Sequence, residues 1–246
     1  MDGKEYNRII KNYTEVNYLD KEQSLYHEIN KDMWGFVYNY RKNKGRKISI
    51  YDKEGKNFWF YITKNIEERL KFIDEEGQMS ILENIDSKIK DKVAHDFLVD
   101  ESFSSSVIEG AFSTKKRTNE MIKKQLAPTN ISEQMIINNY NALMYILGNI
   151  DEPLNESIVL EIYNIVTKNT LAQDCITEKY RTDIVYVTDV YSGEPIYTAP
   201  THDKIQEMMD DLFGLITDSS DIHPIIKACI IHFYFVYIHP FFDGNG

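Results

Sequence analysis

The feature that most constrains the fold is one apolar segment near the carboxy terminus, residues 224–238. It reads Pro-Ile-Ile-Lys-Ala-Cys-Ile-Ile-His-Phe-Tyr-Phe-Val-Tyr-Ile and is hydrophobic at nearly every position. A helix that is apolar on all sides belongs in the interior of a domain. Pro224 suits the first position of a helix, and Pro240 disfavours helical continuation through the residue before it. We therefore expect a buried central helix that ends at His239.

Helical periodicity also dominates elsewhere from about residue 66 onward. A strong helix is predicted over 132–147, capped by Ser132 and stopped by Gly148 and Asn149. Its broad apolar face consists of Met135, Ile136, Tyr140, Leu143, Met144 and Leu147. Two more helices are predicted, one from Asn155 or Ser157 to Lys168 and one from His202 to Leu215 or Ile216. These segments predict a mainly α domain.

Alternation of apolar and polar residues interrupts the helices once. Residues 183–187 alternate, the segment Ser192-Gly193-Glu194 supplies turn residues, and residues 195–198 return. This pattern predicts a short antiparallel hairpin. A plain surface hairpin and a docking edge for another chain fit the alternation equally well.

The amino-terminal region, residues 1–90, is rich in tyrosine, asparagine and lysine. Three runs favour β-strands, and we expect a small antiparallel β-meander plus a helix here. A separate domain is expected over 91–246. The predicted strands are 35–40, 47–51 and 57–63. The basic turn 41–46, which we expect to be a solvated hairpin tip, joins the first two strands, and the turn 52–55 joins the last two.

Composition excludes several classes of partner. The 28 basic and 39 acidic residues give a net charge of −11, which opposes non-specific binding to nucleic acid and to anionic lipid. The two cysteines are too few for a disulfide framework. No apolar run approaches the ~20 residues of a membrane span, and the amino terminus is too polar for a secretory signal. We expect a cytoplasmic protein without a membrane or nucleic-acid partner.

The chemistry concentrates in the last eight residues, His-Pro-Phe-Phe-Asp-Gly-Asn-Gly, which run from His239 to Gly246. Histidine titrates near neutrality, so His239 can take the proton of a hydroxyl nucleophile. Asp243 supplies the hard oxygen ligand that Mg²⁺ favours. Gly244 and Gly246 let backbone N–H groups face an anion without a Cβ in the way. The string predicts a phosphate-binding active site, with Phe241 pinning the loop to the core.

This string resembles the signature of the Fic family, His-Pro-Phe-x-Asp/Glu-Gly-Asn-Gly-Arg-x-x-Arg. Every specified position available between His239 and Gly246 matches. Upstream, the run from His223 to Ile238, the dipeptide Tyr180-Arg181 and the hairpin over 184–198 also resemble family segments. The likeness covers roughly residues 100–246 and implies a Fic-type helical core with a short β-hairpin flap.

The resemblance implies nucleotidyl transfer, most often of AMP from ATP to a hydroxyl side chain of a target protein. Ile196 and Tyr197 in the flap would pair with a segment of the target as an added strand. The resemblance also allows self-modification and assembly into a homo-oligomer. The implied roles are general base for His239, Mg²⁺ ligand for Asp243, loop anchor for Phe241, and phosphate binding for Gly244, Asn245 and Gly246.

The sequence departs from the signature at Arg-x-x-Arg, which would begin after Gly246. In the family these arginines bind the nucleotide phosphates, and losing such a cation can cost roughly 10³-fold in phosphoryl transfer. We therefore expect a core truncated at its carboxy-terminal end and an inactive 246-residue chain. Two alternatives stay open: a non-catalytic protein-interaction module with a Fic fold, and a small hydrolase with a metal bound by His239 and Asp243. The hydrolase predicts more ligands than the loop offers.

A second motif, Ser105-Ser-Val-Ile-Glu109-Gly110, fits the family's inhibitory pattern Ser/Thr-x-x-x-Glu-Gly/Asn. The resemblance implies that Glu109 pairs with the second signature arginine and keeps the ATP γ-phosphate from its productive place. It also implies that Glu109 can direct water to remove AMP. The alternative is a capping box, in which Glu109 folds back onto a helix start at Ser106. The spacing alone favours the capping box, whereas the neighbouring signature favours inhibition.

Overall fold

The computed structural model describes residues 3–9, 31–77, 86–189, 192–219 and 221–242. It divides into two compact units, residues 1–83 and 84–246. Across these residues the chain is mainly helical, with two antiparallel two-stranded sheets. The predicted fold class, mainly α with a short β-hairpin, is confirmed. The assignment of domains to 1–90 and 91–246 stays a prediction.

The first unit contains a β-hairpin in which β1 pairs with β2. The Asp52 carboxylate accepts the backbone N–H groups of Glu54 and Lys56 at 3.0 and 2.8 Å, and Gly55 takes a positive φ of 78°. The turn predicted over 52–55 and the strands on either side of it are therefore present. The elements of this unit are α1 (Gly3–Ile9), α2 (Lys31–Lys44), β1 (Arg46–Tyr51), β2 (Asn57–Phe60) and α3 (Lys64–Gly77).

The strand predicted over 35–40 is wrong, because these residues lie within α2. An alternation of large and small residues over six positions is too short to distinguish a strand from a helix. The basic segment forms the last turn of α2 instead of a hairpin tip, where cations complement the helix dipole. Gly45 follows α2 directly. A Cβ at this position would lie 2.7 Å from the Trp59 ring, so the backbone between α2 and β1 runs too close to that ring for any residue but glycine.

The second unit is built from helices that pack in sequence, α4 on α5 and α6, α6 on α7, and α8 on α9. The hairpin of β3 and β4 lies between α7 and α8 in the chain. Within the described ranges, no helix is both long and apolar enough to cross a membrane. The elements are α4 (Ser87–Ile108), α5 (Lys115–Lys124), α6 (Ile131–Gly148), α7 (Glu156–Val166), β3 (Tyr186–Thr188), β4 (Pro195–Thr198), α8 (Ile205–Thr217) and α9 (Pro224–Ile238).

The helix α6 differs from its prediction in its cap and in its buried face. Its N-cap is Asn130, whose side chain accepts the N–H of Glu133 at 2.9 Å, so Ser132 is not the cap. Met144 and Leu147, predicted on the apolar face, are 45% and 46% exposed. The buried positions include polar ones because these side chains have partners in other elements. The buried residues of α6 are Glu133, Ile136, Asn138 and Ala142.

The helix α9 begins and ends as predicted. The side chain of His223 caps its start by accepting the N–H of Ile225, and Pro224 is its first residue. Burial is narrower than predicted, since Phe233 and Val236 are 51% and 52% exposed. Against the described residues α9 thus buries one face, formed by Ile230, Tyr234 and Ile238. The expectation of burial on all sides is therefore wrong for α9 within the described ranges.

Candidate active site

His239 lies at the carboxy-terminal end of α9 in a left-handed conformation, with φ 50° and ψ 64°. Its N–H donates to the carbonyl of Phe235 at 3.0 Å, which closes the last turn of the helix. Left-handed geometry is unfavourable for a residue with a Cβ, so the surrounding structure must hold it in place. The imidazole therefore leaves the helix at a fixed point on the rim of the following loop.

Arg181 holds this turn. It is 2% exposed, and its Nε donates to the carbonyl of His239 at 2.7 Å. Its Nη2 reaches the carbonyl of Ile238 at 3.3 Å, and its backbone N–H donates to the carbonyl of Pro240 at 2.9 Å. The last carbonyls of a helix lack partners within the helix, and a cation near that end is favourable. Arg181 thus satisfies three consecutive carbonyls where the loop begins.

The same guanidinium reaches both ends of the β3–β4 hairpin. Its Nη1 donates to the carbonyl of Asp183, and its Nη2 donates to the carbonyl of Pro200, both at 2.6 Å. A second link runs from the hydroxyl of Tyr197 in β4 to the carbonyl of Tyr237 in α9, at 2.5 Å. The hairpin and the end of α9 are therefore joined by one arginine and one tyrosine.

The hairpin has the register expected of a short antiparallel pair. Val187 faces Tyr197, and the register shifts between Val187 and Thr188. Among the described residues, each strand has the other as its single neighbour, so each keeps one open edge. Ile196 is 68% exposed and Tyr186 is 54% exposed. An open edge with exposed apolar side chains can pair with an extended segment of another chain.

Phe241 packs among three aromatic rings. Its ring stacks on Tyr163 of α7 with centroids 3.8 Å apart and an interplanar angle of 7°. It also makes tilted contacts with Tyr180 at 5.8 Å and with Phe235 at 6.2 Å. Aromatic pairs contribute about 0.5–1.5 kcal/mol beyond the area they bury. The Phe241 ring is therefore held by aromatic contacts on several sides, while its predicted role as the loop anchor stays a prediction.

Polar contacts hold Tyr180, one of the rings packed against Phe241. The Tyr180 hydroxyl donates to the carboxylate of Glu156 at 2.8 Å, and Lys179 pairs with the same oxygen at 2.8 Å. Burial, helped by the neighbouring carboxylate, raises the pKa of Tyr180, so the phenol stays a donor. Burial alone would raise the pKa of Glu156, but hydrogen bonds from Lys179, Tyr180 and Gln206 hold it below its ordinary value. Glu156 therefore remains ionised and fixes the Tyr180 ring beside Phe241.

The electrostatic surroundings of His239 favour its neutral form. Burial and the adjacent positive charge of Arg181 lower the pKa of His239, while a hydrogen bond with the backbone of Val236 opposes the shift. A neutral imidazole can accept a proton, whereas an imidazolium cannot. At neutral pH His239 is thus in the form that a general base requires.

The predicted phosphate and metal ligands lie outside the described residues. They are Asp243, Gly244, Asn245 and Gly246. Within the described ranges, no group of three or more histidine, cysteine, aspartate or glutamate side chains could hold a metal ion. The carboxylate oxygens of Asp243 fit Mg²⁺ by their chemistry, because Mg²⁺ typically takes one or two protein carboxylates and completes its shell with phosphate and water. These four roles stay predictions.

The predicted inhibitory motif forms the carboxy-terminal cap of α4. Gly110 has a φ of 94°, its N–H donates to the carbonyl of Val107 at 3.0 Å, and the N–H of Ala111 donates to the carbonyl of Ser106 at 2.8 Å. This pair of bonds is a Schellman motif, which usually requires glycine at the left-handed position. The capping-box alternative is wrong, because Ser106 ends a helix instead of starting one.

Glu109 is exposed at this cap, and its carboxylate forms no hydrogen bond or ion pair with the described part of the chain. The hydroxyl of Ser105 donates to Glu101 at 3.1 Å, one turn back along α4. Ser106 is buried, and its hydroxyl accepts the side-chain amide of Asn139 in α6 at 3.2 Å. The end of α4 is therefore fixed to α6, while the Glu109 side chain stays available for another partner.

Comparison with known proteins agrees with this geometry. Residues 153–246 match the Fic/DOC family. This segment of the chain is therefore similar to the Fic/DOC family. The chain is 26% identical over 152 residues to the protein adenylyltransferase Fic of Nematostella vectensis, covering 58% of this chain and 34% of that protein. It is 36% identical over 64 residues to the protein adenylyltransferase fic-1 of Caenorhabditis elegans, covering 25% and 12%. The chain thus spans about a third or less of the length of these relatives.

Solved structures show the same fold. A Fic family protein from Desulfovibrio desulfuricans G20 superposes with a TM-score of 0.62 at 21% identity, covering 76% of this chain and 55% of that one. A signalling protein with a Fic domain from Bacteroides thetaiotaomicron VPI-5482 gives a TM-score of 0.59 at 18% identity, covering 72% and 67%. Because both sequence identities are below 25%, these two structures show a similarity of fold to this chain.

Sequence reasoning missed the role of Arg181, which it noted only as part of the dipeptide Tyr180-Arg181. The sequence held one signal for this role, an arginine just before an alternating strand. If such a cation is buried with the strand, it needs several hydrogen-bond acceptors around it. It also missed Tyr163, which the periodicity of α7 places on an apolar face without indicating its partner. Both residues contact the segment that begins at His239.

Proposed function

We propose that this protein is a protein adenylyltransferase of the Fic family, which moves AMP from ATP to a hydroxyl side chain of a target protein. The observation that carries the proposal is His239, a half-buried imidazole held in its neutral form at the end of α9. The Asp-Gly-Asn-Gly sequence that follows it in the chain supplies the groups that phosphate binding needs. The names of the two relatives, both protein adenylyltransferases, support the same activity.

In the proposed reaction the target hydroxyl oxygen forms a bond to the α-phosphorus of ATP, and the bond from that phosphorus to the bridging oxygen breaks. Pyrophosphate leaves with that oxygen. His239 takes the hydroxyl proton as the new bond forms. The backbone N–H groups of Gly244, Asn245 and Gly246 bind phosphate oxygens. Asp243 would hold Mg²⁺, which supplies positive charge against the phosphates when bound.

The target would dock on the open edge of β4. The Tyr197 hydroxyl donates to the carbonyl of Tyr237 in α9, so this side chain fixes β4 in place. Ile196 has an exposed side chain that a target residue can cover. In strand addition the target is bound through its main chain. The hydroxyl that is modified would then be the one that lies within reach of His239.

We propose that Glu109 restrains the reaction. Its carboxylate lies at a rigid helix cap and is exposed, so it can pair with a cation near the nucleotide phosphates. Such a pairing removes a charge that the γ-phosphate needs. The same carboxylate would orient water for hydrolytic removal of AMP. In that step the water oxygen bonds to phosphorus and passes its proton to Glu109, the bond from phosphorus to the target oxygen breaks, and that oxygen takes a proton from protonated His239 as AMP leaves.

The test is label transfer from α-³²P-ATP with Mg²⁺ into protein, with the protein itself and a cell extract as acceptors. The Glu109→Ala variant should transfer more label than the parent, and His239→Ala should abolish transfer in both backgrounds. Asp96→Ala is the matched control, since it removes an exposed carboxylate from the same helix more than three turns earlier. Equal signals from all five proteins would contradict the proposal and favour an interaction module without catalysis.

A further inference from the structure

Arg181 is a buried cation whose side chain bonds to main-chain oxygens. Its guanidinium donates to the carbonyls of Asp183, Pro200, Ile238 and His239 at 2.6 to 3.3 Å. Within the described ranges no carboxylate forms an ion pair with it. Burying a cation without a counter-ion is costly, so the four carbonyls and the negative end of the α9 dipole must together replace its hydration. Burial accordingly lowers the pKa of this guanidinium.

The four acceptors belong to two elements of the proposed active site. Asp183 and Pro200 flank the hairpin, one before β3 and one after β4. Ile238 and His239 end the helix that presents the general base. Arginine can bridge such a set because its donors diverge from one rigid plane, whereas the lysine ammonium is a single point.

We infer that Arg181 is the positioning residue that couples the target-docking hairpin to His239. The inference rests on the proposed function. One rigid group sets the separation between the root of the hairpin and the backbone of the catalytic base, so a hydroxyl presented along β4 meets the imidazole at a fixed distance. A displacement of the hairpin is transmitted through the guanidinium to the His239 carbonyl.

Two further contacts support this assignment. The Ala199 N–H donates to the carbonyl of Val185 at 3.1 Å. This bond joins the two ends of the hairpin next to Pro200, whose carbonyl accepts from Arg181. The Tyr197 hydroxyl adds a parallel link to α9. The charge of Arg181 also favours the neutral form of His239, which aids its role as a base.

The first test is hydrogen exchange, which requires neither nucleotide nor activity. Arg181→Lys keeps the charge but cannot span four carbonyls. We expect faster exchange in the peptides around Ala199 and His239 together, with peptides from α4 and α6 unchanged. Arg117→Lys is the matched control, because Arg117 makes a two-pronged bond to Glu133 within the same unit. Faster exchange in only one of the two peptides, or in neither, would overturn the coupling.

The second test perturbs the hairpin at a distance and leaves Arg181 intact. Gly193→Ala forces a side chain onto a residue with φ 68° near the hairpin turn and should not endanger folding. The NMR signal of the His239 imidazole should shift in this variant, and it should shift less when Gly193→Ala is added to Arg181→Lys, where only the Tyr197 link remains. An unshifted signal in the single variant contradicts the inference even if the lysine variant fails to fold.

Kinetics separate the inference from the proposed function. Arg181→Lys should reduce kcat by about 10²-fold while the KM for ATP changes less than about twofold, because misplacing the target relative to the base affects the chemical step. Loss of transfer in every form of the protein would refute the proposed function but leave the exchange and NMR results intact. Equal kcat in the parent and the lysine variant would refute the positioning role alone.

Discussion

The Nε of Arg181 donates to the main-chain carbonyl of His239 over 2.7 Å, so a buried cation contacts the residue that would act as the base. The bond holds the left-handed turn that ends α9, and the charge disfavours a proton on the imidazole. Arg181, which lies 58 residues earlier in the chain, thus holds the conformation of His239 and adds to the effect of burial in lowering its pKa.

The pKa of His239 predicts a dependence of stability on pH. Its folded-state pKa is lowered from 6.5, so the unfolded chain binds the proton more readily. The fold should have the full contribution of this group above pH 6.5 and lose it as the pH falls through the folded-state pKa. Thermal unfolding between about pH 5 and pH 8 should show a smaller acid destabilisation for His239→Asn than for the parent. Parallel curves for the two proteins would contradict the predicted shift.

Glu133 gives a second pH-dependent contribution, in a more acidic range. Its hydrogen bonds to Arg117 and to the Thr129 backbone lower its pKa from 4.5 to about 2. Since the folded-state pKa is depressed, this stability is present above pH 4.5 and declines as the pH falls toward 2. Glu133→Gln should lower the free energy of unfolding at neutral pH by about 1–3 kcal/mol, because it weakens a buried charged hydrogen bond.

Urea denaturation at several pH values measures this difference, which should shrink on acidification. Asp100→Asn is the control, since Asp100 pairs with Lys115 at 3.1 Å with both side chains more than half exposed. Such a pair contributes about 0–1 kcal/mol. A Glu133→Gln effect as small as that of the control would refute the prediction.

Gly110 should be intolerant of a side chain for conformational reasons alone. A Cβ there would meet no atom within 4 Å, yet the residue has a φ of 94°. Gly110→Ala should therefore destabilise the protein by about 1 kcal/mol. Gly148→Ala is the matched control, because Gly148 also lies in open space at a helix end but has no positive φ. That substitution should be neutral or stabilising, and a melting temperature lowered equally in both variants would contradict the interpretation.

The stacking of Phe241 on Tyr163 should couple the loop to α7. Phe241→Leu and Tyr163→Leu should each destabilise the protein, and the double variant should show a coupling energy of about 0.5–1.5 kcal/mol. Denaturant unfolding of the four proteins in the cycle measures it. Phe233→Leu provides a comparison on the half-exposed side of α9 and should have a smaller effect. Additive losses from the two leucine substitutions would show that the rings do not interact.

Local signals in the sequence determined much of this protein. Prolines mark both ends of α9, Asn155 caps a helix start and Gly193 forms a turn. The string from His239 to Gly246 indicates the family by its residue order alone. These features depend on residues a few positions apart, and such short-range preferences can be read from order alone. The strand predicted over 35–40 was wrong because its short alternation also fits a helix.

Only the tertiary structure decided how the active-site parts are joined. Arg181 bonds to residues as far as 58 positions away, and Tyr163 stacks on a ring 78 positions later, counted from 163 to 241. The spacing of the Ser105 to Gly110 motif allowed a capping box at a helix start, and the positive φ of Gly110 with its hydrogen bonds shows a helix end instead. Sequence order specifies bonds within one or two turns. A buried guanidinium is stable only when folding brings its acceptors together, so its role is a property of the packed chain.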